Sequence, residues 1–382
     1  MNSQQRVLEA LAHREPDRVP FDLGGTGLSS IHVTAYANLR QYLGLPEVPV
    51  RVGALAEQLA IVDSDLADQL QTDLRWVIPG FPSNYQLTFH DQGDYEAYYD
   101  EWGIGWRKPK VGGFYYDMFH HPLAGADSLD EFRAFPFLNP VDDQRFATLR
   151  KQAAAARAEG KAVVLAGPCA GITEVYSWAR GFEQFYVDLA LNQQYVALML
   201  DRMVEFKSAF WERALREVGD LVDVVIEADD LGGQNAPLMS PRTYRELIQP
   251  RHKELFGFIK SQAPVKVFYH TCGSVKKLLP DLIDAGIDIL NPVQISAKGM
   301  DLADLKGEYG RDLVFWGGGI DTQWMLGSGT PEQIRDHVQR NIEILAPGGG
   351  FVFAAVHDIQ ANVPPENIMA MWEAWRDFGE YH

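Results

Sequence analysis

The sequence predicts an α/β protein in which strands and helices alternate and close into a (β/α)8 TIM barrel. Short runs rich in β-branched residues stop at glycine, proline or a polar cluster, and amphipathic stretches such as 241–261 and 331–345 separate them. Strands that alternate with helices of this length pair in parallel through crossover connections. Because about eight such runs are present, closure into a barrel is favoured over an open doubly wound sheet.

The predicted strands can be placed one by one along the chain. They are residues 19–22, 74–78, 162–167, 221–227, 265–270, 287–291, 313–316 and 351–356. The amphipathic stretch after 330 begins with Thr330 and Pro331 in cap and first-turn positions, which indicates a helix start. We expect residues 1–382 to form a single barrel domain.

An insertion at about residues 84–121 interrupts this rhythm. It is rich in aromatic residues, glycine and charge, and it has no helical period, so it predicts a β-hairpin cap. Its aromatic side chains could line a substrate mouth, form a small core of their own, or make a dimer contact. They are Tyr98, Tyr99, Trp102, Trp106, Phe114, Tyr115, Tyr116 and Phe119.

The composition excludes several classes of function. The formal net charge of -18 argues against nucleic acid or an anionic membrane as partner, because both require a basic surface. Cys169 and Cys272 are the two cysteines, too few for a disulfide scaffold or a four-cysteine zinc module. The N-terminus does not resemble a signal peptide and no apolar run reaches the ~20 residues of a membrane span. We expect a cytoplasmic protein.

In a parallel barrel, chemistry is expected where each strand ends. His270 and Cys272 are two residues apart at such an end, so both side chains should lie on one face. Imidazole and thiolate are good zinc donors, although a packed histidine and a small buried cysteine would have the same pattern. His357, after the last predicted strand, is the best-placed third ligand, and Cys169 is a weaker fourth candidate.

Two carboxylates and a glycine cluster leave alternatives open. Glu227 and Asp229 could ligate, accept a hydrogen bond from a ligating imidazole, or transfer protons, but a salt bridge or helix cap would explain them as well. The glycines at 317–319 follow the seventh strand, where barrels often hold phosphate, and tight packing is the competing explanation. A Walker lysine and a complete dinucleotide fingerprint are both lacking, so nucleotide binding is poorly supported.

Several segments together resemble one known family over nearly the whole chain. These are Arg-Val-Leu-Glu-Ala-Leu at 6–11, Pro-Asp-Arg-Val-Pro at 16–20, Arg-Gly at 180–181, Ser-Pro-Arg-Thr-Tyr at 240–244 and Pro-Pro-Glu-Asn-Ile at 364–368. They resemble the uroporphyrinogen decarboxylase superfamily, which also contains zinc-dependent methyltransferases that act with corrinoid proteins or coenzyme M. The resemblance implies a (β/α)8 barrel. Members occur as monomers and dimers, so a homodimer is one expected state.

The resemblance favours the methyltransferase branch. True decarboxylases carry an arginine-rich N-terminal loop that grips carboxylates, whereas residues 21–27 here read Phe-Asp-Leu-Gly-Gly-Thr-Gly. The methyltransferases hold zinc with a His-x-Cys pair, which His270 and Cys272 match, and with a later cysteine. His357 stands in place of that cysteine, which is a departure, and decarboxylases also have a histidine there.

The departure has a chemical consequence for the implied zinc site. One thiolate and two imidazoles leave about one positive charge on a zinc ion, which makes it a better Lewis acid than a site with two thiolates. We therefore expect methyl transfer from a small, methoxylated or similar substrate to a separate corrinoid protein, with no corrinoid domain in this chain. The alternatives are a metal-free decarboxylase or lyase acting on a small acid, with Asp22 and His357 as acid and base, and a non-catalytic binding barrel.

The resemblance also suggests which residues surround the substrate. Catalytic roles are expected for Glu227, Asp229 and Asp22. Polar substrate contacts are expected from Gln234, Asn291 and Gln294, and Tyr176 and Trp178 are candidates for the walls. Ordinary packing would explain each of these contacts equally well.

Overall fold

The computed structural model describes residues 1–381, and its centre is a seven-stranded parallel sheet that curls into a barrel. The strands of the chain are β1 (Val52–Ala54), β2 (Leu59–Ala60), β3 (Leu74–Val77), β4 (His90–Gln92), β5 (Tyr95–Tyr99), β6 (Gly105–Pro109), β7 (Asp117–His120), β8 (Ala162–Leu165), β9 (Val224–Ala228), β10 (Lys266–His270), β11 (Ile289–Asn291), β12 (Val314–Trp316) and β13 (Phe351–Val352). The strand order in the parallel sheet is β13-β12-β11-β10-β9-β8-β3.

The predicted strand at 19–22, the first in the chain, closes the barrel without forming a regular strand. Phe21 makes an isolated parallel bridge with Phe353, just after β13. On the other side, the amide of Asp73, next to β3, donates to the carbonyl of Phe21 at 2.9 Å. The predicted barrel and all eight of its strand positions are therefore confirmed.

Helices cover the outside of the barrel and connect its strands. They are α1 (Ser3–Leu11), α2 (Val33–Tyr42), α3 (Ser64–Gln69), α4 (Leu129–Ala134), α5 (Asp143–Phe146), α6 (Leu149–Ala158), α7 (Ile172–Arg180), α8 (Phe182–Leu191), α9 (Gln193–Val218), α10 (Pro241–Thr243), α11 (Gln249–Gln262), α12 (Leu279–Ala285), α13 (Leu302–Tyr309), α14 (Met325–Ser328), α15 (Pro331–Leu345) and α16 (Pro365–Phe378). A π-helical turn, Tyr244–Ile248, joins α10 to α11, and a 3-10 turn, Lys276–Leu278, precedes α12. Within residues 1–381 no helix has the length and apolar character needed to cross a membrane.

The side chains of each strand alternate between two separate hydrophobic cores. Ile226, Phe268, Ile289 and Trp316 belong to the small core inside the barrel. The intervening residues face the helices and belong to the larger outer core. Alternate residues along a strand therefore face opposite sides. The position of a residue in this alternation decides whether its side chain points into the barrel or toward the helices.

The insertion forms a four-stranded antiparallel sheet in the order β4-β5-β6-β7. Part of its predicted aromatic cluster packs internally: Tyr98 stacks on Trp106 and meets Tyr116 edge-on. Trp102 instead packs on Phe137 and Phe206, outside the insertion. The explanation that the insertion packs a core of its own therefore fits three of the rings.

The glycine run at 317–319 is explained by tight packing. A Cβ on Gly319 would lie 2.5 Å from the ring of Phe353, and one on Gly318, whose φ is +79°, would lie 2.9 Å from Cβ of Val293. Side chains at these positions would clash, so the close packing at the ends of the strands requires glycine there.

Candidate metal centre

The end of β10 projects His270 and Cys272 into the barrel mouth. His270 pairs with Ala228 of β9 and Asn291 of β11, and it has the same parity as the interior residue Phe268. The chain then turns at Gly273, which has a φ of +88° and would clash with the backbone of Gly232 at 2.4 Å if it carried a Cβ. Only glycine fits this close approach, and the turn leaves the thiol next to the imidazole.

His357 reaches the same place from the loop after β13. Its φ is +65°, a left-handed conformation that few non-glycine residues adopt. Such a conformation costs on the order of 1 kcal/mol and persists only where the surroundings require it. A strained histidine at the carboxyl end of a barrel strand is therefore a candidate functional residue.

The three side chains converge closely enough to share one metal ion. The donor atoms of His270, Cys272 and His357 lie within 4.8 Å of one another, and Cys272 Sγ is 3.3 Å from Nε2 of His270. Ordinary zinc–nitrogen and zinc–sulfur bond lengths in a tetrahedral site separate the donors by about 3.3–3.6 Å. Small side-chain rotations would bring this set onto one centre, and three protein ligands leave a fourth position open, as catalytic zinc sites require.

Each imidazole has a hydrogen-bond acceptor that leaves Nε2 free for a metal. Asn291 Nδ2 donates to the carbonyl of Trp316 at 2.9 Å, so its Oδ1 faces His270 Nδ1 at 2.6 Å and accepts from it. His357 Nδ1 lies 2.9 Å from the buried Oδ2 of Asp358. Acceptors of this kind fix the tautomer and the ring orientation of metal-binding histidines. The surroundings of the cluster therefore fit a metal site.

The cluster also favours a thiolate. Burial would raise the pKa of Cys272, but attraction to His270 and hydrogen bonds from His270 and His357 bring it below its usual value. Burial opposes protonation of His270, yet the sulfur of Cys272 raises its pKa to about 9. The pKa of His357 is likewise raised, against burial, by Asp358 and Cys272. A thiolate is the form that binds zinc.

Two cavities open on this centre. A cavity of about 1050 Å³ is lined by His270 and His357 and by the ends of β8 and β9. A second, of about 430 Å³, is lined by Cys272, His357 and amide side chains that include Gln294, Gln323 and Gln360. Both cavities therefore reach the cluster.

The predicted substrate-binding residues have different surroundings. Trp178 lines the larger cavity, and Gln294 lines the smaller one and accepts from the amide of Gly273 at 2.7 Å. Gln234 accepts from Gln294 at 3.2 Å. Tyr176 is fully buried, donates to Asp188 at 2.8 Å and lines neither cavity. As described above, Asn291 contacts the His270 ring.

Glu227 and Asp229 share the outer face of β9, away from the metal centre. Glu227 accepts from Lys207 and from Trp211 Nε1, each at 2.6 Å. Asp229 caps the start of α7 through the amide of Thr173 at 2.7 Å, and its other oxygen lies 2.7 Å from His252 Nε2. The salt-bridge and helix-cap explanations thus account for both carboxylates, and their catalytic roles remain predictions.

Asp22 and Cys169 lie apart from the three-donor cluster. Asp22 is buried and accepts from Trp316 Nε1 at 2.7 Å and from Ser29 Oγ at 2.5 Å. Burial raises its pKa to about 6 despite these bonds. Cys169 lines the larger cavity, and burial raises the pKa of its thiol to about 12, which disfavours the thiolate that a metal needs.

Sequence reasoning missed several residues around the centre. Glu57, Trp76 and Glu174 line the larger cavity, and Asp358 holds the His357 ring. Trp76 lies within the predicted strand at 74–78 and Glu57 lies before it, and neither segment carries a recognisable motif. Asp358 directly follows a predicted ligand, which is the one signal that could have identified it.

Fold and site together define a class: a (β/α)8 barrel with a histidine–cysteine–histidine cluster at the carboxyl ends of its strands. Residues 119–378, more than half of the chain, match the family model described as uroporphyrinogen decarboxylase (URO-D). The chain belongs to the uroporphyrinogen decarboxylase family, which confirms the resemblance seen in the sequence.

Individual relatives come from both branches of the superfamily. The chain is 29% identical to methylcobamide:CoM methyltransferase MtaA of Methanosarcina barkeri, over 42% of this chain and 43% of the relative. It is 30% identical to a uroporphyrinogen decarboxylase of Pseudoalteromonas translucida, over 40% and 41%. The chain thus spans less than half the length of the curated relatives it matches.

One solved structure covers the whole fold. A methyltransferase from Methanosarcina mazei superposes with a TM-score of 0.63 and 17% identity, covering 99% of both chains. At this identity the likeness establishes the fold. The methyltransferase relatives, matched over less than half of their length, support the methyltransferase branch.

Proposed function

We propose that this protein is a zinc-dependent methyltransferase that moves a methyl group from a small methoxylated substrate to a separate corrinoid protein. The observation that carries the proposal is the convergence of one thiol and two imidazoles, within 4.8 Å, on the wall of a cavity of about 1050 Å³. His270, Cys272 and His357 would hold the zinc. When bound there, zinc would supply Lewis acidity toward an ether oxygen.

The chain's own residues would orient the ligands and admit the two reactants. Asn291 and Asp358 hold the two imidazoles in the tautomer that leaves Nε2 free. In the transfer, the methyl–oxygen bond breaks and its electron pair stays on the oxygen, while a reduced cobalt centre of the partner supplies the pair for the new carbon–cobalt bond. The two cavities that reach the cluster support a reaction between two separate molecules.

A methyl-transfer assay tests this function. Purified zinc-loaded protein is mixed with a corrinoid protein, a reductant and a panel of methoxyaromatic compounds, and methylated cobalt is followed by its absorbance. Transfer by the wild type and its loss in Cys272→Ser support the proposal, with Cys169→Ser as the matched cysteine control. Bound zinc without transfer for any compound would contradict the proposed substrate class, and a lack of zinc would contradict the mechanism.

A decarboxylase or lyase acting on a small acid is the second candidate. The observation in its favour is the buried carboxyl of Asp22, whose raised pKa of about 6 suits proton transfer near neutral pH. The uroporphyrinogen decarboxylase relatives match about as well as the methyltransferases. Carbon dioxide release by metal-free protein, abolished in Asp22→Asn, would support this function instead. Ligand binding without either reaction would indicate a non-catalytic barrel.

A further inference from the structure

The larger cavity has walls suited to a ring-bearing ligand. Its volume of about 1050 Å³ is at the upper end of ordinary small-molecule sites and far exceeds what a one-carbon substrate would fill. Its apolar lining includes Ile61, Trp76, Phe81, Phe89, Trp178 and Ile226. Flat aromatic and aliphatic surfaces of this kind bind rings by dispersion and by release of water.

Trp76 occupies its wall because two glycines make room for it. A Cβ on Gly27 would lie 2.6 Å from the Trp76 ring, and a Cβ on Gly53 would lie 2.5 Å from it. Both glycines also line the cavity. Any side chain at either position would displace the indole, so the sequence at 27 and 53 preserves an aromatic surface in the wall.

The cavity offers acidic groups but no unpaired lysine or arginine among the described residues. Its two arginines already have carboxylate partners: Arg145 pairs with Glu101, and Arg51 with Asp63 at 2.8 Å. The Arg51 side chain is also 61% exposed.

Four further carboxyl groups line this cavity, those of Glu57, Glu174, Asp230 and Asp358. Within residues 1–381, none of them is within 4 Å of a lysine or arginine nitrogen. An anionic substituent placed among these carboxyl groups would lose its hydration and gain no lysine or arginine partner.

We propose that the substrate of this cavity is an aromatic methyl ether whose ring carries no anionic substituent. The inference rests on the proposed function and names its substrate class. The ring would pack on Trp76 and Trp178 with the methoxy group toward His270 and His357. A carboxylate on the ring would lie among the carboxyl groups of Glu57, Glu174 and Asp230, which repel an anion when charged and cannot neutralise one when protonated.

Three ligands with a neutral, an anionic and a cationic group opposite the methoxy group provide the test. They are 4-methylanisole, 4-methoxybenzoate and (4-methoxyphenyl)trimethylammonium. Binding to the zinc-loaded protein is measured by calorimetry without any corrinoid protein. We expect 4-methylanisole to bind at least about tenfold more tightly than 4-methoxybenzoate, a difference of about 1.4 kcal/mol. Equal or tighter binding of 4-methoxybenzoate would overturn the inference. If the ammonium compound binds most tightly, the preferred substrate is cationic and not neutral.

Variants link the selectivity to this cavity. Trp178→Ala should weaken 4-methylanisole binding about tenfold, whereas Trp324→Ala, which removes a 56% exposed tryptophan outside this cavity, should leave it unchanged. Glu57→Lys should raise 4-methoxybenzoate affinity, and Glu57→Gln, as the conservative control, should raise it less. Unchanged affinities in folded Trp178→Ala and Glu57→Lys proteins would overturn the inference.

Binding and transfer fail separately in this design. The expected order of affinities without methyl transfer would contradict the proposed function and leave the cavity's selectivity standing. Methyl transfer from 4-methoxybenzoate as efficient as that from 4-methylanisole would support the proposed function and contradict the selectivity of the cavity.

Discussion

His270 Nδ1 lies 2.6 Å from Oδ1 of Asn291, the residue that pairs with it between β10 and β11. The strand register therefore places the acceptor that orients a metal-binding ring, and Asn291 is itself fixed by its bond to the Trp316 carbonyl at 2.9 Å. We expect Asn291→Ala to lower zinc affinity about 10- to 100-fold, as loss of such acceptors does elsewhere. Competition with a chromophoric chelator measures this. Asn291→Asp keeps a hydrogen-bond acceptor and should lose less zinc affinity than Asn291→Ala. Equal zinc affinity of the wild type and both variants would contradict a positioning role for Asn291.

Zinc stoichiometry tests the three-donor cluster directly. Protein purified without chelators should contain about one zinc per chain, and Cys272→Ser and His357→Ala should each lose most of it, because two ligands hold zinc poorly. Cys169→Ser should keep full occupancy, since Cys169 lies outside the cluster. Elemental analysis of the four proteins is the measurement. Zinc retained in Cys272→Ser would rule out thiolate ligation.

Zinc binding should strengthen as the pH rises. In the metal-free protein the Cys272 thiolate raises the pKa of His270 to about 9, and the pKa of His357 is raised as well. The His270 imidazole is then mostly protonated at pH 7, and zinc must displace that proton. We expect affinity to rise by about tenfold or more per pH unit from pH 7 to 9 and then to level off. Calorimetry in two buffers of different ionisation enthalpy measures the protons released, and binding without proton release would contradict the expectation.

Asp22 should make stability depend on pH in the acidic range. Burial raises its pKa to about 6 in the folded protein, against 3.8 for an ordinary aspartate. The folded state therefore binds the proton more tightly. The stabilisation is complete below about pH 3.8 and is lost as the pH rises through 6, by about 3 kcal/mol. Urea unfolding of wild type and Asp22→Asn between pH 4 and 7 should show this difference in pH dependence, and parallel curves would contradict it.

The pair of Lys207 and Glu227 should contribute to stability and not to metal binding. The two groups are 2.6 Å apart and their side chains are 0% and 2% exposed. Removing one partner leaves a buried charge uncompensated, so Lys207→Met should destabilise the fold by about 3–5 kcal/mol. The double variant Lys207→Met/Glu227→Met should recover part of that loss. Denaturant unfolding measures both effects, and zinc content should not change. Loss of zinc in a folded Glu227→Gln protein would instead support the predicted functional role of Glu227.

Local sequence patterns were sufficient to predict the barrel and the position of its mouth. The strand runs depend on β-branched composition and on turn residues nearby in the chain, which is why even 19–22, a single bridge at Phe21, could be recognised. The spacing of His270 and Cys272 places both on one face of a strand end. The strand positions and this spacing can be predicted without knowing which residues pack against the strand.

The tertiary structure alone decided which strand-end residues face the cluster. Glu227 and Asp229 have the outward parity of β9, where Lys207 of α9 and His252 of α11 contact them. The sequence by itself determined the fold and the three candidate donors. The acceptors Asn291 and Asp358 and the charge of the cavity were decided by the tertiary structure, because hydrogen bonds and burial depend on residues that are distant in the chain and meet only when the barrel closes.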